Sequence, residues 1–415
     1  MISNHSSFLP IIRSIQDKIP VQIRQPLYKF IKWQYLGISI IILATLVLHF
    51  IIINHPATTV FDEFHYVAEA RSIIAGQGPL FVEHPPLAKL FIISGILIFG
   101  DNPFGWRFFS AIFGTISIIL FYFICRRLEM PRGGPLLATF IFAFENLNFV
   151  QSCVAMLDVY MVTFMLAAFL LYLSRKAFSS GLFISLSIIS KITGVFAAVS
   201  IGIDWLLDRN KNILFIIILG TSTLVCFGAI FTVLSSVVLG QLMNPVELIK
   251  YMYNQSSNIT FSVVYQQSAS TPWEWIFLPT FIFYSYEPQL IAMISLTVWV
   301  VMIPMIIYMI WLAFHKDRAS IWVLSWFAGT YLTLLPLVLI TNRVTFLYYF
   351  YPTLGAVCIG IGICLSRLWK YWENNNKTRK GQAALVLSSG YVFLHIVVFV
   401  LFSPVGVPFV RWLPL

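Results

Sequence analysis

Long apolar runs separated by short charged clusters dominate this chain of 415 residues, of which 59% are hydrophobic and only 10% are charged. About twenty apolar residues in a row suffice for a helix to cross the roughly 30 Å hydrocarbon core of a bilayer. Backbone polar groups inside lipid must bond to each other, which favours helices. The alternating pattern of a membrane-spanning barrel does not run through the chain. The pattern therefore predicts an all-α polytopic membrane protein.

The apolar runs predict eleven spans, at 36–53, 106–125, 134–150, 153–173, 179–190, 192–207, 212–239, 289–313, 320–340, 344–366 and 382–402. The first is interpreted as an uncleaved span with the N-terminus inside. Most of the 26 lysines and arginines then lie on the cytoplasmic side. The region 179–207 is divided at Lys191, because one long helix would move every later basic cluster outside. The net charge of +10 is thus interpreted as topology charge and not as a nucleic-acid-binding surface.

The predicted organisation has four parts: a cytoplasmic segment at 1–35, a catalytic transmembrane module at 36–239, an external loop at 240–287 and a C-terminal transmembrane module at 288–415. The catalytic module includes a second external loop at 54–105. Two stretches of that loop, an amphipathic one at 63–75 and a short apolar one at 87–99, are predicted to be interfacial or juxtamembrane helices.

Ionisable residues are concentrated between Phe61 and Lys89, directly after the first span. Asp62 and Glu63 are adjacent acids at the start of a predicted helix. Acids commonly cap helix starts. The functional alternative is that one of these carboxylates acts as a general base, or binds a cation, at the membrane surface.

Further charges lie in or beside the spans, where they are expensive and usually functional or paired. Glu145 and Asp158 are either part of the site or structural partners of Arg107 or Lys191. A second group of cations is predicted on the outer side, against the positive-inside trend. These cations, Lys89 after His84-Pro85-Pro86, Arg107 and Arg343, either hold a phosphate of a lipid carrier or make ordinary interfacial contacts.

The chain contains no Walker A, HExxH or strand-associated GxGxxG motif. Chemistry on the external face therefore requires a donor that is already activated.

Seven segments resemble the dolichyl-phosphate-mannose protein mannosyltransferases, which are polyprenyl-phosphate-dependent enzymes of the GT-C fold. They are Asp62-Glu63, HPPLAKL at 84–90, FGDNPFGWRFFSAIFGT at 99–115, AMLD at 155–158, SKITG at 190–194, STPWEW at 270–275 and RVTFLYYFYP at 343–352.

The resemblance implies inverting transfer of a hexose, mannose in this family, from a dolichyl- or polyprenyl-phosphate carrier to an acceptor hydroxyl on the extracytoplasmic face of the cell membrane. Asp62 is then the general base, and Glu63 helps to position it. Substrate binding is expected of His84, Lys89, Arg107, Glu145, Asp158, Lys191 and Arg343. No metal site is assigned, although a divalent cation is left open as a cofactor, as is a dimer.

One departure from the family concerns the acceptor. Eukaryotic members carry a large soluble insertion where this chain has only 240–287. Protein serine or threonine remains the expected acceptor, and a lipid or glycan remains the alternative.

Two non-enzymatic hypotheses are also open. A transporter or flippase would use the intramembrane charges as a pathway but lacks the expected repeats. A non-catalytic partner would be expected to lose the acid pair.

Overall fold

The computed structural model describes residues 21–208, 211–257, 259–261, 268–286 and 289–406. Most of the predicted cytoplasmic segment and the last nine residues of the predicted C-terminal module, 407–415, lie outside the described residues. The helices of the N-terminal half are α1 (Val21–Ile52), α2 (Glu63–Ile74), α3 (Leu87–Phe99), α4 (Pro103–Arg127), α5 (Gly134–Ala143), α6 (Asn146–Gln151), α7 (Asp158–Leu173), α8 (Ala177–Ser190), α9 (Phe196–Leu207) and α10 (Ile213–Leu239).

The C-terminal half adds helices, a hairpin and one π-helical turn. Its elements are α11 (Pro245–Ser257), α12 (Glu274–Phe277), β1 (Phe281–Tyr286), β2 (Gln289–Met293), α13 (Leu296–Phe314), α14 (Arg318–Phe327), the π turn (Ala328–Leu332), α15 (Thr333–Thr341), a 3-10 turn (Leu347–Phe350), α16 (Tyr351–Asn375) and α17 (Arg379–Phe402). The mostly helical fold class predicted from the apolar pattern is confirmed.

Seven helices of the described chain are long and apolar enough to cross a membrane: Trp33–Ile52, Pro103–Arg127, Ile213–Leu239, Leu296–Phe314, Arg318–Thr341, Leu347–Asn375 and Arg379–Phe402. Five shorter apolar helices accompany them, at Leu87–Phe99, Gly134–Ala143, Asp158–Leu173, Ala177–Ser190 and Ile192–Leu207. The chain is a multi-pass membrane protein, and the number of eleven spans stays a prediction.

Two predicted spans are wrong as drawn. The span 289–313 begins in strand β2, and its helix starts only at Leu296. The stretch 134–150 is two helices, because Glu145 has an extended backbone (φ −81°, ψ 130°) and separates α5 from α6. Its carboxylate accepts a hydrogen bond from the Asn148 backbone N–H at 2.9 Å, which caps α6.

The predicted division at Lys191 is confirmed. Helix α8 ends at Ser190, and Lys191 is extended (φ −156°, ψ 137°) before a 3-10 turn at Ile192–Val195 leads into α9. The turn folds back against α8 so closely that a Cβ on Gly194 would lie 2.4 Å from the carbonyl carbon of Ser187. The break carries the Lys191 side chain into the interior.

Helix α16 is deeply buried in the membrane region. In the helical stretch Leu347–Asn375, which contains α16, 89% of the most apolar residues are buried, against 22% in α17. Glycines allow its neighbours to approach. A Cβ would lie 2.3 Å from Trp326 if added at Gly355 and 2.6 Å from Ala138 if added at Gly362. The 3-10 turn that precedes α16 is thereby fixed, and this turn supplies two tyrosines to the site described below.

The segment 240–287, predicted as an external loop, contains α11, α12 and the first strand of a hairpin. Strands β1 and β2 pair antiparallel, with Phe281 opposite Met293 and an irregularity between Phe283 and Ser285. The hairpin is tied to the membrane region because the Met293 backbone N–H donates to Asn146 Oδ1 at 3.0 Å.

Candidate active site

The two adjacent acids at the start of α2 have different environments. Glu63 is fully buried and forms a bidentate pair with Arg107 of α4, at 2.9 Å to Nε and 2.7 Å to Nη2. Glu63 also accepts backbone hydrogen bonds from Val60 at 3.0 Å and from Ala155 at 2.8 Å. Its carboxylate therefore joins the loop 54–105 to α4 and to the segment before α7.

Arg107 is also fully buried, and its remaining N–H groups are used. They donate to the carbonyl oxygens of Ile53 at 3.0 Å, Pro56 at 2.8 Å and Thr58 at 3.1 Å. With the two bonds to Glu63, all five guanidinium N–H groups have partners. This geometry does not support the predicted phosphate-binding role of Arg107, because no donor is left. Its contacts connect the loop leading to the acids with α4.

Asp62 lies half-buried, and its Oδ2 accepts a hydrogen bond from the Tyr348 hydroxyl at 2.9 Å. Burial raises the pKa of Asp62 above its ordinary value, while the Tyr348 hydrogen bond and the charges of Lys191 and His65 act in the opposite direction. The preceding Phe61 has a left-handed backbone (φ 48°). Its ring stacks on Tyr284 at a centroid distance of 5.1 Å.

Asp158 and Lys191 form a buried ion pair, with Nζ at 2.8 Å from each carboxylate oxygen. The Lys191 ammonium also lies 4.7 Å from the ring centroid of Tyr348 and 4.8 Å from that of Tyr349, within cation–π range. The structural pairing proposed as an alternative for Asp158 is therefore present. The pair nevertheless lies at the tyrosine that binds Asp62, so it belongs to the same cluster.

Two other predicted site residues have mainly structural contacts. Besides capping α6, the buried Glu145 accepts a hydrogen bond from the Ser295 backbone N–H at 2.7 Å. Within the described residues, Glu145 forms no hydrogen bond with Asp62. Lys89 is buried against Glu69 at 2.9 Å and also donates to the Phe81 carbonyl. These bonds join α3 to α2 and to the loop between them.

A groove of about 390 Å³ opens beside the cluster. One wall consists of apolar side chains of α15, including Leu334, Leu337 and Ile340. The polar lining consists chiefly of His84, Glu83, Lys191, Thr193, Ser256, Ser257, Thr341, Arg343, Thr345 and the tyrosine Tyr349. An apolar wall combined with a cationic lining suits a molecule that has a hydrocarbon chain and an anionic head.

The polar end of this groove contains two cations, Lys191, which is paired with Asp158, and Arg343, together with the acid Glu83. His84 is kept neutral there, because burial and the neighbouring charges of Lys191, Lys89 and Arg343 lower its pKa well below the ordinary value. Arg343 is fixed by a hydrogen bond from Nη1 to the Ser256 carbonyl at 2.8 Å. The structure thus brings together Asp62, Asp158, Lys191, His84 and Arg343 of the predicted set.

Sequence reasoning missed the aromatic residues of the cluster. Tyr348 and Tyr349 lie inside the RVTFLYYFYP segment, from which only Arg343 was selected. Tyr284 was not selected from the sequence either, and it is buried and accepts a hydrogen bond from Gln151 Nε2 at 2.6 Å. A repeated aromatic pair directly before a helix was the available signal.

No group of three His, Cys, Asp or Glu side chains in the described part of the chain is arranged to hold a metal ion. The acids of the cluster are instead paired with lysine, arginine or tyrosine. These residues do not fit the divalent cation left open from the sequence.

The arrangement of helices matches solved membrane glycosyltransferases. The protein O-mannosyltransferase Pmt1-Pmt2 complex of Saccharomyces cerevisiae, solved with its sugar donor, aligns with a TM-score of 0.74 at 13% identity, covering 90% of each chain. ArnT from Cupriavidus metallidurans bound to undecaprenyl phosphate aligns with a TM-score of 0.54 at 16% identity, covering 88% of this chain and 69% of that one. The fold is that of the GT-C membrane glycosyltransferases.

Residues 39–214 match the model of the family described as Dolichyl-phosphate-mannose-protein mannosyltransferase. A polyprenol-phosphate-mannose–protein mannosyltransferase of Mycolicibacterium smegmatis is 36% identical over 118 residues, which are 27% of this chain and 23% of that protein. The Mycobacterium tuberculosis protein of the same name is 32% identical over 158 residues, which are 36% and 30% of the two chains. The resemblance seen in the sequence motifs is confirmed, and the aligned segments span less than a third of these relatives' own length.

Proposed function

We propose that this protein is an inverting glycosyltransferase that moves mannose from a polyprenyl-phosphate carrier to a serine or threonine hydroxyl of a protein on the extracytoplasmic face. One observation carries this proposal. The half-buried carboxylate of Asp62 and the buried cation of Lys191 meet at the Tyr348 ring, and Lys191 also lines an apolar groove. A base, a cation and a lipid groove are the three parts that such a transfer requires.

In the proposed reaction the acceptor oxygen attacks C1 of the sugar, and its proton passes to Asp62. The bond between C1 and the phosphate oxygen breaks, so the leaving group is the polyprenyl phosphate dianion. Lys191 and Arg343 stabilise this developing charge electrostatically from the polar end of the groove. Glu63 and Arg107 do not touch the reactants in this scheme, and they fix the loop from which Asp62 projects.

The aromatic residues have a separate role in the proposal. Tyr348 donates to Asp62 and therefore favours the ionised carboxylate that can accept a proton. Stacking of Phe61 on Tyr284 holds the left-handed turn before Asp62. The cluster is thereby preorganised before either substrate arrives, which reduces the entropic barrier of the reaction.

The names of the mycobacterial and fungal relatives support a protein acceptor. The experiment that tests the proposal reconstitutes the full chain with radiolabelled polyprenyl-phosphate-mannose and offers it serine- and threonine-containing peptides, lipids or no acceptor. Label in peptide with inverted anomeric configuration is expected. Label in lipid alone would overturn the protein acceptor while keeping the enzyme class. Donor translocation across proteoliposomes without transfer would overturn the enzyme class.

A groove variant tests the donor path independently of the chemistry. Leu337→Trp, on the groove wall, is expected to raise the donor KM by about tenfold, equivalent to roughly 1.4 kcal/mol, because the indole occupies space needed by the hydrocarbon chain. The matched control is Leu339→Trp, which lies on the same helix, is exposed and does not line the groove. Steady-state kinetics that show equal effects of the two variants would remove the groove from the donor path.

A further inference from the structure

A second groove lies in the C-terminal membrane region, between α13, α16 and α17. Its volume is about 620 Å³, and most of its lining is apolar, including Val301, Leu365 and Leu387. It shares no lining residue with the groove beside Asp62. It is therefore a separate feature that the proposed transfer reaction does not use.

The three helices leave this space for an identifiable reason. Helix α13 crosses α16 closely at Gly360, where an added Cβ would lie 2.2 Å from Met305 Sδ. Pro304 lies inside α13 next to this crossing and removes one hydrogen bond of the helix. Leu387 of α17 is 63% exposed, so the groove is not closed from the lipid side. A hydrocarbon chain can therefore enter it from the bilayer.

The polar part of the groove is cationic. Among the described residues that line it, Arg367 is the one that carries a charge, and Tyr371 lies one turn further along α16. The Arg367 Nη2 donates to Asp317 Oδ1 at 2.9 Å, but its Nε is buried and has no partner among the described residues. The indole N–H of Trp372, which follows Tyr371 in the sequence, is also buried and has no partner among the described residues. Of these two donors, the Arg367 Nε belongs to a residue that lines the groove, and it requires an acceptor.

The surrounding charge is strongly positive. At the same end of the three helices the chain carries the basic residues Lys316, Lys370, Lys377, Arg379 and Lys380. The acids there are Asp317, which is bonded to Arg367, and Glu373. Basic residues close to a membrane surface attract anionic lipids, by about 1 kcal/mol each. An anionic head group at Arg367 satisfies both the surrounding charge and the unpartnered Nε donor.

We infer that this groove binds an anionic glycerophospholipid, with an acyl chain between α13, α16 and α17 and its phosphate at Arg367. The site differs from the proposed donor site in the lipid it selects, since the donor carries a polyprenyl chain. Bound lipid fills the space between the buried helix α16 and its two neighbours, α13 and α17. It is expected to stabilise the fold without taking part in the chemistry.

The test uses the purified full chain and two probes, dioleoyl phosphatidylglycerol and dioleoyl phosphatidylcholine, with bound lipid measured by native mass spectrometry. Phosphatidylglycerol is expected to bind about tenfold more tightly. Arg367→Gln should abolish this preference, whereas Arg127→Gln, an exposed cation at the end of α4 away from the groove, should keep it. Equal affinity for the two lipids, or equal loss in both variants, would overturn the inference.

Two tryptophan variants test whether lipid occupies the groove if Arg367→Gln folds poorly. Leu387→Trp fills the groove and should remove the tightly bound phosphatidylglycerol, whereas Val386→Trp, equally exposed on the same helix but outside the lining, should retain it. Retention of the lipid by Leu387→Trp would place it elsewhere and contradict the site. Occupation of the groove by a second copy of the chain, seen as a dimer that Leu387→Trp disrupts, would also overturn it.

Discussion

Asp62→Asn is expected to lower the rate of mannose transfer by about 10²- to 10⁴-fold, the usual contribution of a general base. Asparagine has nearly the same size and can still accept a hydrogen bond from Tyr348, but it cannot take up the proton of the acceptor. Lys191 and the groove are unchanged in this variant, so the donor affinity should stay within about twofold of wild type. Single-turnover transfer and equilibrium donor binding measure the two quantities separately.

The matched control for this variant is Asp101→Asn. Asp101 is an acid in the same loop, 54–105, but it is exposed and paired with the exposed Arg71. Its replacement is expected to leave transfer within about twofold of wild type. Comparable loss in the two variants would mean that external negative charge in general, and not a base at Asp62, limits the rate.

Arg107→Ala is expected to destabilise the protein by about 3–5 kcal/mol, because it leaves the buried Glu63 carboxylate without its cation and frees three loop carbonyls. The measurement is thermal or denaturant unfolding of the purified protein in detergent. Arg71→Ala provides the comparison, since it breaks an exposed pair with Asp101 and should change stability by no more than about 1 kcal/mol.

Two results would contradict the positioning role of Arg107. A variant of normal stability with a raised donor KM would return Arg107 to the phosphate-binding role predicted from sequence. The second is strict additivity between Glu63→Gln and Arg107→Met. A buried pair should instead show a coupling energy, with the double variant less destabilised than the sum of the single variants.

The membrane fold was predictable because its signal is local. The length of the apolar runs predicts most helices. The distribution of lysines and arginines between the spans places a break at Lys191, and the backbone of Lys191 is extended in the structure. Glu145 shows where local reasoning fails. It lies in a continuous apolar stretch, and its effect on the backbone depends on bonds to Asn148 and to Ser295, which is distant in sequence.

The candidate site was predictable as a set of residue types but not as a set of partners. Adjacency suggested similar roles for Asp62 and Glu63, yet Glu63 is held by Arg107 from α4, and Asp62 is bound by Tyr348 from the far end of the chain. Periodicity carries no information about such pairings. Whether a buried arginine has a free donor also depends on loop carbonyls that no side-chain pattern reveals.

The role of Asp62 as the general base is tested most directly by the pH dependence of single-turnover transfer in wild type and in Tyr348→Phe. Transfer requires ionised Asp62, so the rate should fall as the pH drops through the pKa of this carboxyl, which burial raises. Removal of the Tyr348 hydroxyl removes a hydrogen bond that lowers this pKa. The acidic limb of Tyr348→Phe should therefore move to higher pH, with transfer restored at alkaline pH. An acidic limb at the same pH in both proteins would contradict the role of Asp62 as the base.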